Sequence, residues 1–282
     1  MRIAKQLPVL FPVLIFAIFL ASPALSFDLI IPDTGQELCY DWEYIICDEW
    51  HMEGPNQVCD SDPYCPQPGE DFYGQDAQYT INPPDLTDNG DGTVTDNLTG
   101  LVWEQKTTET EQYSYTTYSE AASYCEDLSL GGNDDWRVPT RREFSTLLNH
   151  NRTSPSLDVA YFPDYTYNGP NEVYYWTSSV YHDDPAQMWK VQISFGIMEA
   201  IIPQSPPHKV RCVSGATEPE ADYTNNGNGT VTDNVTGLMW ELKTDDGGNR
   251  DKDNTATWKD ALAYCEDLVL GSYSDWRLPN PK

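Results

Sequence analysis

Cysteine is the residue whose spacing carries most chemistry in this chain. Seven are present. Cys39, Cys47, Cys59 and Cys65 crowd one N-terminal stretch, and the spacing reads as two small disulfide-closed loops, Cys39–Cys47 and Cys59–Cys65. Cys125 and Cys265 sit in nearly the same phrase, "YCEDLSLGGNDDWRVPT" at 124–140 and "YCEDLVLGSYSDWRLPN" at 264–280. Cys212 completes the set. Six are expected to pair and Cys265 to remain a free thiol. The four histidines, at 51, 150, 182 and 208, show no metal-ligand spacing, and no Ser–His–Asp set or phosphate loop is evident. The chain is therefore expected not to be an enzyme.

Three other groups suggest ligand chemistry. "NGDG" at 89–92 resembles part of a calcium loop, but Asp88 and Asp91 return in the second copy as Asn225 and Asn228, so turn chemistry is preferred and no cofactor is expected, calcium being the alternative. Trp136 and Arg137 form a ring beside a guanidinium, a possible sugar platform, set against a buried Trp with Asp135 and Arg137 pairing locally. Arg141 and Arg142 open a short helix, where the helix dipole disfavours cations; with Arg137, Arg152, Lys190, Lys209 and Arg211 they are the only basic concentration. Trp103, Trp176 and Trp189 read as core.

The elements that position these residues come twice. "DNGDGTVTDNLTGLVWEQKT" at 88–107 is echoed by "NNGNGTVTDNVTGLMWELKT" at 225–244, and the order of motifs after it is the same. A repeat of this length is a domain, not a solenoid unit. We expect a first domain over 79–216 and a truncated second copy over 222–282. Each opens with a hairpin. "TTYSEAASYCEDL" then carries a Thr117/Glu120 capping box and places Tyr118, Ala121, Cys125 and Leu128 on one helical face, with Gly131-Gly132 as the stop. Thr140 and Glu143 cap a second helix through Leu148. The stretches "VYYWTSSVY", "QMWKVQISF", "IMEAII" and "HKVRCVS" are strand-like, giving an α+β domain in which helix 1 can be bridged to the last strand.

Charge and leader set the surroundings. The formal net charge is −29. Residues 27–78 hold thirteen acids and no Lys or Arg, forming a leader expected to lean on the first domain. Such a chain does not suit nucleic acid or anionic membrane. Residues 1–26 have a basic start, a short apolar core and small residues before position 27, the pattern of a signal peptide. The mature chain is expected to have no membrane span and to be secreted, periplasmic or on the cell surface.

"TDNGDGTVTDNLTGLVWEQ", the "YCEDL" helix, "DWRVPT", "WTSS", "MWKVQISFG" and "VRCVSG" occur in the order of one bacterial family. The chain resembles the family named for the C-terminal domain of the Legionella collagen-like protein. The resemblance implies a C-type-lectin-like architecture and a disulfide from helix 1 to the last strand, Cys125–Cys212. With the signal-peptide pattern and the disulfides, the resemblance gives the expectation of an exported noncatalytic module recognising extracellular glycan or protein at the cell surface or envelope, the alternative being a structural or protein-interaction module of the envelope with no glycan ligand. Calcium-dependent lectins of that fold hold sugar with a Glu-Pro-Asn or Gln-Pro-Asp triplet and a Trp-Asn-Asp strand. This chain has neither; its nearest match is "GPNE" at 169–172, which makes Asn171 and Glu172 candidates.

Overall fold

The structure, a computed structural model, describes residues 65–79, 82–106, 114–152, 154–164, 173–202, 207–217, 219 and 221–280. The signal-peptide segment, Cys39, Cys47, Cys59, Asn171 and Glu172 lie outside the described residues.

The first unit is α+β. Strands β1 (Leu86–Asp88), β2 (Thr93–Asp96) and β3 (Val102–Glu104) form a meander. The turns between them are built as the sequence requires. Gly90 and Gly92 take φ of 73° and 89°. The Asp88 and Asp91 carboxylates accept from Gly90 N and from Thr93 N and Oγ1. Asn225 and Asn228 accept the same bonds in the second copy, so the position needs an acceptor oxygen and not a charge.

Strand β4 (Ser114–Tyr115) leads into helix α1 (Tyr118–Glu126), whose Thr117/Glu120 capping box is formed. The helix ends at Glu126, earlier than the glycines. Gly131 and Gly132 instead make a tight turn closed by Leu130 and Asn133. That turn presses on β2: a Cβ on Gly131 would lie 2.6 Å from Thr93 Cγ2. Helix α2 (Arg141–Thr146) has the Thr140/Glu143 capping box, and Leu147–Leu148 follow its last turn as buried residues.

The remaining strands are β5 (Tyr174–Val180), β6 (Met188–Gln192), β7 (Ile197–Ile201), β8 (His208–Lys209) and β9 (Val213–Ser214). They divide between two sheets. One has the order β4-β8-β5-β6-β7; in the other, β9 closes the opening meander as β1-β2-β3-β9. "HKVRCVS" therefore joins both sheets, with Val210, Arg211 and Cys212 buried between its two strand ends. The core has two parts. Trp103, Phe144, Leu148, Phe162, Tyr175 and Val191 form one. Cys125, Trp136, Val138, Trp176, Val210 and Cys212 form the other. Cys125 and Cys212 are joined by a disulfide.

The second unit repeats the opening: β10 (Tyr223–Asn225), β11 (Thr230–Asp233), β12 (Met239–Glu241) and α3 (Trp258–Asp267). Val231 faces Trp240 as Val94 faces Trp103. Among the described residues β12 is an edge, because the sheet is β10-β11-β12.

The described part of the leader does not lean on the first domain as expected. Phe72 packs on Trp258, Asp71 pairs with Lys259, Tyr79 donates to Glu266 and Asp76 accepts from Asn280. The first three contacts follow from α3, which offers an aromatic ring, a cation and a carboxylate on a side that no strand covers among the described residues. Cys65 is disulfide-bonded to a cysteine outside the described residues.

Replacing Cys125 and Cys212 together by Ser opens a loop of 87 residues. The chain-entropy account gives a loss of about 4 kcal/mol. Chemical denaturation should show this in the first unit, and peptide mapping without reduction should return the 125–212 link with Cys265 free.

Candidate functional site

The most concentrated chemistry in the first unit is buried. Glu104 closes β3, and its carboxylate meets three groups from three elements. Lys106 Nζ lies 2.9 Å from Oε1, the Tyr124 hydroxyl of α1 donates to Oε1, and the Cys212 backbone N–H donates to Oε2 at 3.1 Å. The Glu104 N–H donates in turn to the Cys212 carbonyl. Arg211, fully buried, donates to the Glu104 carbonyl at 2.6 Å and to Asp164 Oδ1 at 2.5 Å, and its guanidinium lies 4.5 Å from the Phe162 ring centre. Burial pushes the Lys106 ammonium below its ordinary value, against the opposing pull of Glu104. Burial, and then the Asp164 charge, push the Tyr175 phenol up. The charged groups here are all under 5% exposed, and the cluster ties β3, α1 and the closing strand together.

The second unit contains the same triad. Tyr264 donates to Glu241 Oε1 at 2.6 Å, Lys243 Nζ is 2.7 Å from Oε2, and Lys243 lies over the Tyr264 ring at 4.5 Å, as Lys106 lies over Tyr124 at 4.7 Å. What differs is cover. The Lys106 side chain is 2% exposed and that of Lys243 is 45% exposed. Arg250 supplies a second cation to Glu241 and donates to the Gly229 and Leu242 carbonyls. The sequence carried this signal unread: "WEQK" and "WELK" share Glu-x-Lys, and each "YCEDL" supplies the Tyr.

The ligand-binding candidates fare differently. Trp136 is 3% exposed with its indole N–H on the Asn133 carbonyl, so it is core and not a sugar platform. Arg137 makes a two-pronged pair with Glu143, both contacts at 2.7 Å, because the α2 capping box aims that carboxylate at it. The expected Asp135–Arg137 pairing is not the local pair: Asp135 instead accepts from Ser214 and Gly215. Arg152, Lys190 and Arg211 pair with Asp158, Glu199 and Asp164, which disperses the basic concentration. Arg142 is half-buried.

Arg141 is different. It is exposed at the start of α2, and its guanidinium lies 4.6 Å from the centre of the Trp189 ring. Tyr181 meets the same indole edge-on at 5.2 Å. Trp103 and Trp176 are core as read, but Trp189 is half-exposed, because it stands at the end of β6 where α2 begins. Stacking on the ring offsets the unfavourable dipole that Arg141 meets at a helix N-terminus. The group combines one cation with two rings at the surface of the first unit.

One acidic cluster also forms. Asp245, Asp251 and Asp253 bring ligand oxygens within 4.8 Å of one another. Lys252 already lies 3.0 Å from Asp245 and 3.2 Å from Asp253, and backbone N–H groups of residues 246, 247 and 253 occupy Asp251.

The family model described as the Lcl C-terminal domain matches residues 92–214 and again residues 229–282. The chain belongs to the Lcl C-terminal domain family. The first match runs through the closing strand, and the second covers the hairpin, α3 and the "DWRLP" segment, one full copy and one truncated copy. No curated protein matches the chain. Glu104, Lys106, Tyr124 and Arg211 all fall in the first Lcl match, and Glu241, Lys243 and Tyr264 in the second. Among the described residues no helix is long and apolar enough to cross a membrane.

Two outcomes follow. Glu104→Gln leaves Lys106 buried without its counter-charge and should cost about 3–5 kcal/mol, whereas Glu241→Gln, beside a half-exposed lysine, should cost about 1 kcal/mol or less; denaturant titration of each variant decides this. His208 is held at about 4, below its ordinary 6.5, by burial and then by the Lys190 charge. A neutral folded histidine leaves only the unfolded chain to take up the proton, so stability falls as pH drops from 6.5 toward 4 and levels off below. A His208→Gln variant should lose that part of the slope.

Proposed function

We propose that this Lcl-domain chain is an exported, noncatalytic binding module that recognises extracellular glycan or protein at the cell surface or envelope. The first unit would carry the recognition on a C-type-lectin-like frame, the second unit repeating its first half. The observation that carries the reading is the Arg141–Trp189–Tyr181 group. A guanidinium centred 4.6 Å over an indole is held by the ring and still carries N–H donors for ligand oxygens. Rings beside such donors suit a saccharide, with apolar C–H faces and hydroxyl edges. The strongly acidic chain disfavours polyanions, so neutral saccharides are the preferred class. Support against catalysis is physical: the ionisable cluster is sealed, with Glu104, Lys106, Asp164 and Arg211 all under 5% exposed, and the unit's two cysteines are joined. Export rests on the N-terminal pattern and on the disulfides.

A glycan array carrying neutral and acidic polysaccharides, run with calcium and with chelator, tests this directly. Binding to a neutral class that persists in chelator is expected, with Trp189→Ala or Arg141→Ala weakening it about tenfold or more. Absence of binding to every glycan would remove the saccharide ligand. The second reading, a structural or protein-interaction module of the envelope, would then stand; the edge of β12, which no strand covers among the described residues, favours it.

A further inference from the structure

The hairpin between β5 and β6 brings a carboxylate to the rings that hold Arg141. Tyr181 follows β5 directly, and its N–H donates to the Gln187 carbonyl at 2.9 Å, which closes the loop 181–187. Arg141 reaches the same end of the sheet because its own N–H donates to Ser179 Oγ at 2.9 Å. Its guanidinium is placed differently from other cations of the chain. Arg137, Arg152, Arg211 and Arg250 each pair with a carboxylate. Among the described residues no carboxylate pairs with Arg141, and its guanidinium rests on the Trp189 ring. In a chain of net charge −29 that separation is informative, because acids are plentiful.

The two acids of the hairpin are used differently. Asp184 builds the turn: its carboxylate accepts from the Ala186 N–H at 3.1 Å and from Gln187 Nε2 at 2.9 Å. Asp183 has no such duty. It is exposed, and the Tyr181 hydroxyl donates to its Oδ2 at 3.1 Å. That bond, and then the Asp183 charge, push the Tyr181 phenol above its ordinary value, so the hydroxyl remains a donor. The Tyr181 ring therefore runs from the Trp189 indole, 5.2 Å away and edge-on, to a carboxylate that it holds by one oxygen. Donors on Arg141 and acceptors on Asp183 flank one pair of rings.

We propose that Asp183 is the specificity-determining residue of the Arg141–Trp189–Tyr181 site, accepting from a hydroxyl of a neutral saccharide and turning away saccharides that carry carboxylate or sulfate. The proposal rests on the saccharide reading given above and deepens it. Hydroxyl groups donate and accept, so a neutral sugar satisfies Arg141 and Asp183 together. An anionic sugar would satisfy Arg141 but set like charges beside Asp183. Tyr181 is the positioning residue: its hydroxyl fixes the carboxylate, and its ring fixes the indole.

The test uses the whole chain and three neutral polysaccharides, a glucan, a mannan and a galactan, each against its own carboxymethylated derivative. The wild-type chain should bind at least one neutral form more tightly than its carboxymethylated form. Asp183→Asn keeps an acceptor for Tyr181 but removes the charge. It should weaken the neutral form about fivefold, since a charge-assisted bond becomes a neutral one, and strengthen the carboxymethylated form about twofold to threefold at low salt, a gain that fades at high salt. Tyr181→Phe keeps the ring and the Asp183 charge; it should weaken the neutral form about threefold and leave the discrimination in place. A wild-type chain that binds a neutral form while Asp183→Asn leaves the ratio of the two affinities unchanged, or lowers both equally, would overturn the role of Asp183 and leave the saccharide reading standing. A wild-type chain that binds none of the six polysaccharides, with none bound on the array either, would overturn that reading and the proposal with it.

Discussion

One carboxylate organises this chain. Glu104 sits where β3, α1 and the closing strand converge, and it engages Lys106, Tyr124 and the Cys212 N–H at once. A charge so buried is tolerable only when nearly every lone pair is used. That requirement fixes geometry over long sequence distances: Tyr124 must face the sheet, which turns Cys125 toward Cys212, and Arg211 must run under the strand to Asp164. The hydrophobic clusters on either side are then aligned by polar contacts with little freedom. A core of Trp, Phe and Leu alone would tolerate more than one packing.

The second unit shows the same constraint before closure. Glu241, Lys243 and Tyr264 make the same pairings with no closing strand among the described residues. The hairpin and first helix therefore position the triad with no closing strand among the described residues. Trp240, Leu242 and Trp258 are exposed beside it. Arg250 and the leader residues Phe72 and Tyr79 cover part of the surface from other directions, with Arg250 reaching the carboxylate that Lys243 also holds.

Much of this was legible in the sequence, for local reasons. Capping boxes at Thr117 and Thr140, the Asn-Gly turns and the β-branched strands state their structure within a few residues. The Cys125–Cys212 link followed from family resemblance. Illegible were the features set by distant partners. The split of "HKVRCVS" between two sheets depends on β3 and β5, far away in sequence. Arg137 could not be assigned to Glu143 over Asp135 without knowing how α2 docks. Trp136 reads as platform or core and Trp189 as core, yet Trp136 is covered by Val138 and Cys125 and Trp189 lies half-exposed under Arg141. The leader's contact with α3 has no sequence signal beyond opposite charge.

The central claim is that the two units share one ionic frame and differ, among the described residues, in whether a strand closes it. Native-state hydrogen exchange at the Glu104 and Glu241 amides measures that difference directly. The Glu104 N–H, bonded to the Cys212 carbonyl, should exchange only through global opening of the first unit. The Glu241 N–H, at the same position on an open edge, should exchange faster by several orders of magnitude, while the Thr232 and Val231 amides within the hairpin remain partly protected. Equal protection at Glu104 and Glu241 would contradict the account.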